Sequence, residues 1–243
     1  MFYLKLWASN ILHWLNTLNS HEKPVGLTFD GIMKIDSVPI DLISRLNNSI
    51  SNLDSSSIKL WESEDKSDAR IFGVEKLVPE VYEVASFLKM EQLGKEFYGT
   101  SELAWFCMFG KIQAAEASQG SGGGWHRDSI FRHQVKIIVY LTDADRTNGC
   151  FQYIQQSHRS KNVLNVRKFL GHGSHRYLPS EIEETCDVQK LKIIDCIGAK
   201  GHSILVDTRG IHRGMPLEHG ERKAITFYMY PKTIPSHMAS ELQ

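Results

Sequence analysis

Residues Gly120 to Asp128, Gly-Ser-Gly-Gly-Gly-Trp-His-Arg-Asp, place an imidazole and a carboxylate two positions apart directly after a glycine run. If Trp125 to Ser129 is extended, successive side chains point to opposite faces, so His126 and Asp128 project together while Arg127 turns away. The two groups make part of a metal site and leave it incomplete. The best-placed third ligand is His212, in Thr208-Arg-Gly-Ile-His-Arg-Gly, just after the apolar run Ser203-Ile-Leu-Val206 and 86 residues beyond His126. A fold that unites them must bring distant strands together, which a barrel does. Two imidazoles and one carboxylate on one face of an ion leave positions open on non-haem Fe(II) for a co-substrate and oxygen.

The rest of the chain fits that requirement. From Gly99 onward the apolar runs are short, β-branched or aromatic, and separated by turn residues: Ser101 to Gly110, Lys111 to Ala115, Val135 to Thr142, Cys150 to Ile154, Leu191 to Ile197, His202 to Asp207 and Lys223 to Tyr230. Many short strands with such turns indicate a sandwich or barrel. Before Gly99 the pattern is mainly helical. Pro79 to Leu93 opens on a proline, carries early acids and apolar residues at helical spacing, and has Gly94 just beyond, which predicts one helix. Residues 21–60 read as turns with a helix near Pro39 to Asn47. Leu4, Trp7, Ile11, Trp14, Leu15 and Leu18 recur at three- and four-residue steps, an amphipathic helix expected to pack on the domain; the alternative use of such a stripe is a lipid surface. The expectation is a single domain over 1–243, with a mainly helical part over 1–98, a β core over 99–231 and a basic insert at about 146–180.

Charge and cysteine usage narrow the classes. Lys plus Arg and Asp plus Glu both number 28, so the chain carries no basic signature for nucleic acid. Lys5, Asn10, His13 and Asn16 interrupt the opening apolar stretch, which fits neither a transmembrane segment nor an ordinary secretory signal well. Cys107, Cys150, Cys186 and Cys196 show no paired spacing, as expected of reduced thiols in a cytoplasmic protein. Charge is local: Arg146 to Ser180 holds six basic residues and three histidines without one acid. Glu181, Glu183, Glu184 and Asp187 follow and can neutralise it; the functional alternative is a lip over the barrel mouth that attracts an anionic substrate. Lys136, Ile138 and Tyr140 share one strand face, with Lys136 able to meet an acid group and the other two suited to core packing. Arg222, ten positions after His212, opens the last strand, and its guanidinium can clamp a carboxylate with two parallel hydrogen bonds.

Four pieces of this sequence together resemble the phytanoyl-CoA dioxygenase family of Fe(II)- and 2-oxoglutarate-dependent oxygenases. Trp125-His-Arg-Asp128 is similar to the family's H-x-D, and Asn148 to His158 to its N-G-x-x-x-x-x-P-G-S-H segment, with Gln155-Gln156 where the family usually has Pro-Gly, a change that alters a turn. Gly210-Ile-His212 stands at the distal histidine, followed by Arg213 and Gly214 where small polar residues are common, and Arg222-Lys-Ala-Ile resembles the oxoglutarate-binding segment. The resemblance implies a mainly β fold with helices, a double-stranded β-helix of jelly-roll or cupin type with N-terminal helices packed on it. It implies Fe(II) held by His126, Asp128 and His212, 2-oxoglutarate anchored by Arg222, and O2 consumed with release of succinate and CO2. Halogenases of this kind replace the metal carboxylate, so Asp128 argues for hydroxylation or desaturation of a small-molecule or acyl-type substrate. The competing readings are a cupin-like metal protein with isomerase or lyase chemistry, and a non-catalytic member of the fold.

Overall fold

The computed structural model describes residues 2–17, 25–54, 56, 58–116, 118–171 and 173–243. Eight helices and ten strands alternate along them: α1 (Phe2–Thr17), α2 (Val25–Asp30), β1 (Ile32–Ile35), α3 (Ile40–Ser51), β2 (Leu60–Glu62), β3 (Asp68–Phe72), α4 (Glu80–Phe87), α5 (Met90–Tyr98), β4 (Leu103–Gln113), β5 (Val135–Tyr140), β6 (Phe151–Ile154), α6 (Ser160–Leu170), α7 (Pro179–Gln189), β7 (Ile193–Cys196), β8 (Ser203–Asp207), β9 (His212–Gly214), β10 (Glu221–Pro231) and α8 (Ser236–Ala239). The strands form two antiparallel sheets, a seven-stranded one ordered β1-β8-β5-β10-β4-β3-β2 and a three-stranded one ordered β7-β6-β9. The chain passes from the large sheet to the small one between β5 and β6 and between β8 and β9, so the same two runs of chain build both walls. This is the expected jelly-roll arrangement.

Alternation along β5 shows why the sheets close. Val135, Ile137 and Val139 face the helices and join a core with Leu46 of α3 and Val84 of α4. Ile138 and Tyr140 face the other way and pack with Phe151, Tyr153 and Val206 between the sheets. All six residues of β5 are buried, so each of its faces meets an apolar layer.

Several local expectations give way to packing. Residues 101–115 form one strand rather than two, because β4 pairs with β10 continuously from Leu103↔Pro231 to Gln113↔Glu221. Residues 1–98 supply three strands of the large sheet, β1 at one edge and β2 and β3 at the other. The single helix predicted over 79–93 is two, broken at Lys89, which adopts a left-handed φ of 50°. Gly94 is not the stop signal; it is buried inside α5, where a Cβ would lie 2.7 Å from Leu103 and 2.9 Å from Met229, and Gly99 at φ 61° ends the helix.

The apolar stripe of α1 also departs from expectation. Leu4, Trp7, Trp14 and Leu15 are exposed, and the helix docks through another face: Leu6 packs with Ile130 and Val163, Ser9 Oγ donates to the Phe131 carbonyl, Arg209 Nη1 donates to Asn10 Oδ1 at 2.7 Å, and His13 stacks on His133 at 3.9 Å. Leu6, Ser9, Asn10 and His13 have helical spacing too. The polar partners Arg209 and His133 decide which face turns inward.

Tyr98 ties the helical layer to the large sheet. Its buried hydroxyl donates to the Met229 carbonyl at 2.7 Å and accepts from the Val135 amide at 3.2 Å, standing in for a rung between β10 and β5 where β5 begins. Tyr98→Phe leaves both backbone groups buried without that partner. The variant should lose about 1–3 kcal/mol in urea unfolding while keeping its far-UV dichroism.

Candidate metal centre

His126 and His212 face one another because their backbones pair. The His126 amide donates to the His212 carbonyl and the His212 amide to the His126 carbonyl, both at 2.9 Å, extending the small sheet past β9 by one residue pair. The flanking chain is extended: the Asp128 amide donates to Thr208 O at 3.1 Å, and the Arg127 amide to His175 O at 2.8 Å. Arg127 points away from the two ligand candidates, as its position in an extended segment requires, and its guanidinium donates to the carbonyls of Ser157 and Arg209, both at 2.8 Å. The glycines ahead of it are closely packed. A Cβ on Gly122, at φ +83°, would lie 2.4 Å from the His126 ring.

Each imidazole is set by its own backbone. Nδ1 of His126 lies 2.9 Å from Gly124 O, and Nδ1 of His212 lies 2.9 Å from Gly210 O. A proton on Nδ1 meets those carbonyls and leaves Nε2 of each ring as the free lone pair. Asp128 Oδ1 lies 3.7 Å from His126 Nε2 and 3.9 Å from His212 Nε2, and the three ligand atoms all fall within 4.8 Å of one another. This His–Asp–His group can hold a metal ion on one face.

The electrostatics suit a cation. Burial pushes the His126 ring below the ordinary histidine range, and burial together with His126 pushes His212 down to about 3. Burial thus favours the neutral form of both rings, the form in which an imidazole can accept a metal. Burial would raise the Asp128 carboxyl, but Lys136 and the two imidazoles override it and hold it well below the usual carboxylate range. Lys136 Nζ lies 2.6 Å from Asp128 Oδ2 and 4.1 Å from the centre of the Tyr228 ring. Since Lys136 takes Oδ2, Oδ1 is the oxygen turned to the histidines. The acid contact considered for Lys136 from sequence is thus made inside the chain, to the candidate ligand itself.

These side chains line a cavity of about 410 Å³ between the sheets, and Arg222 lies in it. Arg222 is 6% exposed, donates Nη1 to the Gly149 carbonyl, and has no hydrogen-bond partner for its buried Nε. Gly214 gives it room, since a Cβ there would lie 2.9 Å from Nη2. The Asn148–His158 segment thus serves the site indirectly, through the Gly149 carbonyl and through Ser157, whose Oγ accepts from the Ile211 amide at 2.7 Å beside His212. Gln156 takes a left-handed φ of 63° in the turn that follows β6.

Sequence reasoning missed Arg70, and it reached Arg176 only as one member of the basic stretch. Arg70, on β3, donates from Nε to Asp68 at 2.9 Å and lines the cavity; Arg176 lines it too and donates to the carbonyls of Gly122 and Gly123 at 2.7 and 3.0 Å. No local pattern announces Arg70, which sheet pairing brings in, and an isolated pairing of residue 176 with His126 selects Arg176 from the basic stretch. Of the basic stretch, His175 and Arg176 reach the mouth, whereas α6 runs beside α1. The cavity opens into a second hollow of about 960 Å³ through Arg70, Asp128, Lys136, His175 and Tyr228, bounded by α1 and by residues 231–238. Among the described residues, Asp128 is the only carboxylate lining either space.

Replacing Lys136 by Met should leave Asp128 without its counter-charge. The metal-free variant should lose on the order of 3 kcal/mol of stability, and saturating Fe(II) or Co(II) under anaerobic conditions should restore most of it, since the ion replaces the missing positive charge. Thermal unfolding with and without metal reads the difference directly.

Comparisons with known proteins agree with this geometry. No curated protein matches the chain in sequence. The fold is similar to the epimerase SnoN in complex with Fe3+, alpha ketoglutarate and nogalamycin RO, at 13% identity and TM-score 0.62 over 88% of this chain and 84% of that one. It is similar to HygX from Streptomyces hygroscopicus with nickel, 2-oxoglutarate and hygromycin B bound, at 15% identity and TM-score 0.59 over 87% of each chain. EctD from S. alaskensis with bound Fe superposes at TM-score 0.60 and 17% identity, over 86% of this chain and 75% of that one. The family model for phytanoyl-CoA dioxygenase matches residues 58–219, which span the glycine run, the His–Asp pair and the distal histidine. The chain belongs to the phytanoyl-CoA dioxygenase family of iron- and 2-oxoglutarate-dependent enzymes.

Proposed function

We propose that the protein is an Fe(II)- and 2-oxoglutarate-dependent dioxygenase that hydroxylates an anionic small molecule. The observation that carries the reading is one cavity in which two imidazoles and a carboxylate bring their ligand atoms within 4.8 Å of one another beside a buried arginine with an unmatched donor. His126 Nε2, His212 Nε2 and Asp128 Oδ1 would hold the iron. Lys136 occupies Oδ2, so Asp128 would offer the metal a single oxygen. Arg222 would receive the distal carboxylate of oxoglutarate, its guanidinium held by the Gly149 carbonyl. When bound, iron with oxoglutarate and oxygen supplies the oxidising power to break a substrate C–H bond, with release of succinate and CO2.

The substrate class follows from the lining. Lys136 matches Asp128, and Asp68 matches Arg70, but Arg132 and Arg176 face the two connected hollows with no carboxylate of the lining to meet them. Iron(II) and oxoglutarate cancel one another's charge. The filled site therefore stays positive and favours an anion. The larger hollow adds Phe72, Phe131, Tyr228 and Tyr230, which suit an apolar or aromatic body behind the charged group. A cytoplasmic location accords with four free thiols, and zero net charge offers nucleic acid no footprint.

Arg222→Ala tests the assignment. Losing a two-pronged, charge-assisted contact of about 3 kcal/mol should weaken oxoglutarate binding to the Fe(II)-loaded protein about a hundredfold, with metal affinity nearly unchanged. Anaerobic calorimetry measures both, and unaltered oxoglutarate affinity would contradict the reading. Substrate hydroxylation is checked by succinate release together with a product that has gained one oxygen atom; a product of unchanged composition would indicate epimerisation instead.

A further inference from the structure

The proposed chemistry leaves the exposed face of α1 unused. Tyr3, Leu4, Trp7, Trp14 and Leu15 lie on one side of this helix and are between 51% and 70% exposed. With Ile11 they follow the three- and four-residue spacing of one continuous stripe. The opposite side is already engaged with the body of the protein through Leu6, Ser9, Asn10 and His13. The helix therefore carries its apolar stripe outward while its polar contacts hold it in place, the reverse of a helix that serves only to cover a core. Beside it, Leu164 of α6 completes an apolar hollow of about 640 Å³ with Tyr3, Leu4, Trp7 and Trp14.

Charge identifies the occupant. Neither α1 nor α6 contains an acidic residue, whereas Lys5, Lys161, Arg167 and Lys168 lie on them. Arg167 stacks over Phe2 at 4.1 Å, and Lys161 and Lys168 are exposed. A two-fold contact between copies centred on α1 would bring these cations toward their own equivalents, with no acid on either helix to meet them. An anionic lipid surface meets both demands: acyl chains take the stripe, headgroup phosphates take the cations, and the two tryptophans and the tyrosine suit the boundary between them. At 16 residues α1 does not cross a bilayer, and no described helix is long and apolar enough to do so.

We infer that α1 and the basic side of α6 form a surface that binds anionic membrane, with α1 lying in the interface plane. Ser9, Leu12 and His13 of the same helix also line the hollow that joins the candidate metal centre. The surface itself stands independently of the assigned chemistry.

The test is flotation of the full chain with phosphatidylcholine vesicles, with and without phosphatidylglycerol, read alongside tryptophan emission and repeated with Fe(II) loaded. Association with the mixed vesicles and a blue shift are expected. The double variant Trp7→Glu, Trp14→Glu should weaken association by about a hundredfold or more, and Lys161→Glu with Lys168→Glu by about tenfold or more, the latter effect fading as salt is raised. All four residues are exposed, so both variants should keep wild-type dichroism and Fe(II) affinity. Absence of vesicle binding, or binding indifferent to the tryptophan pair, overturns the inference. Dimerisation in sedimentation runs that the tryptophan variant abolishes, without lipid binding, would assign the face to a second copy and overturn it too.

Discussion

The reciprocal hydrogen bonds between His126 and His212 are the constraint on which the rest of the site depends. They join a segment that is otherwise loop to the end of a strand, and fix the two imidazoles at a ring separation of 4.4 Å. Everything nearby serves that pairing. Gly122 lets the chain pass the His126 ring, Ser157 holds the Ile211 amide, and Arg127 reaches through to the carbonyls of Ser157 and Arg209. Because the residues on either side are also hydrogen-bonded along the backbone, Asp128 has little freedom to leave the histidines.

The second determinant is how the fold spends positive charge. The side chains of Lys136 and Asp128 keep 9% and 21% of their surface exposed, and charges so largely withdrawn from water are costly unless compensated; here each compensates the other. The pair orients the carboxylate, with Oδ2 on Lys136 and Oδ1 toward the histidines. Arg222 completes the pattern from the opposite side: its burial would be unfavourable but for the Gly149 carbonyl, and its unmatched Nε marks where an anion adds most. Arg132 and Arg176 add the same sign of charge to the lining of the two hollows.

The sequence made much of this visible because the chemistry is local. His126 and Asp128 needed only strand alternation, and β5, β6, β8 and β10 announced themselves as short apolar runs between turns. Lys136 was legible as a residue on the right face, but its partner was not, since pairing with Asp128 depends on how a loop crosses the sheet. Arg70 had no local signature, and Arg176 stood out only as part of a basic stretch. The helical region misled more often. Gly94 reads as a stop in a one-dimensional pattern, yet it is the close contact with Leu103 and Met229 that requires glycine there. On α1 the stripe rule chose the apolar face, while hydrogen bonds to Arg209 and Phe131 selected another, a decision made by partners far away in the chain. Periodicity finds faces; only tertiary contacts say which face turns inward.

The central claim is that His126, Asp128 and His212 bind one iron together with oxoglutarate. Anaerobic titration with Fe(II) and then 2-oxoglutarate, followed by visible absorption, tests it most directly, with Asp128→Ala as the control. The account predicts a charge-transfer band in the wild-type protein that the variant lacks. Metal binding without the band would contradict the oxoglutarate assignment and leave a cupin-like metal protein, and failure to bind metal at all would contradict the centre itself.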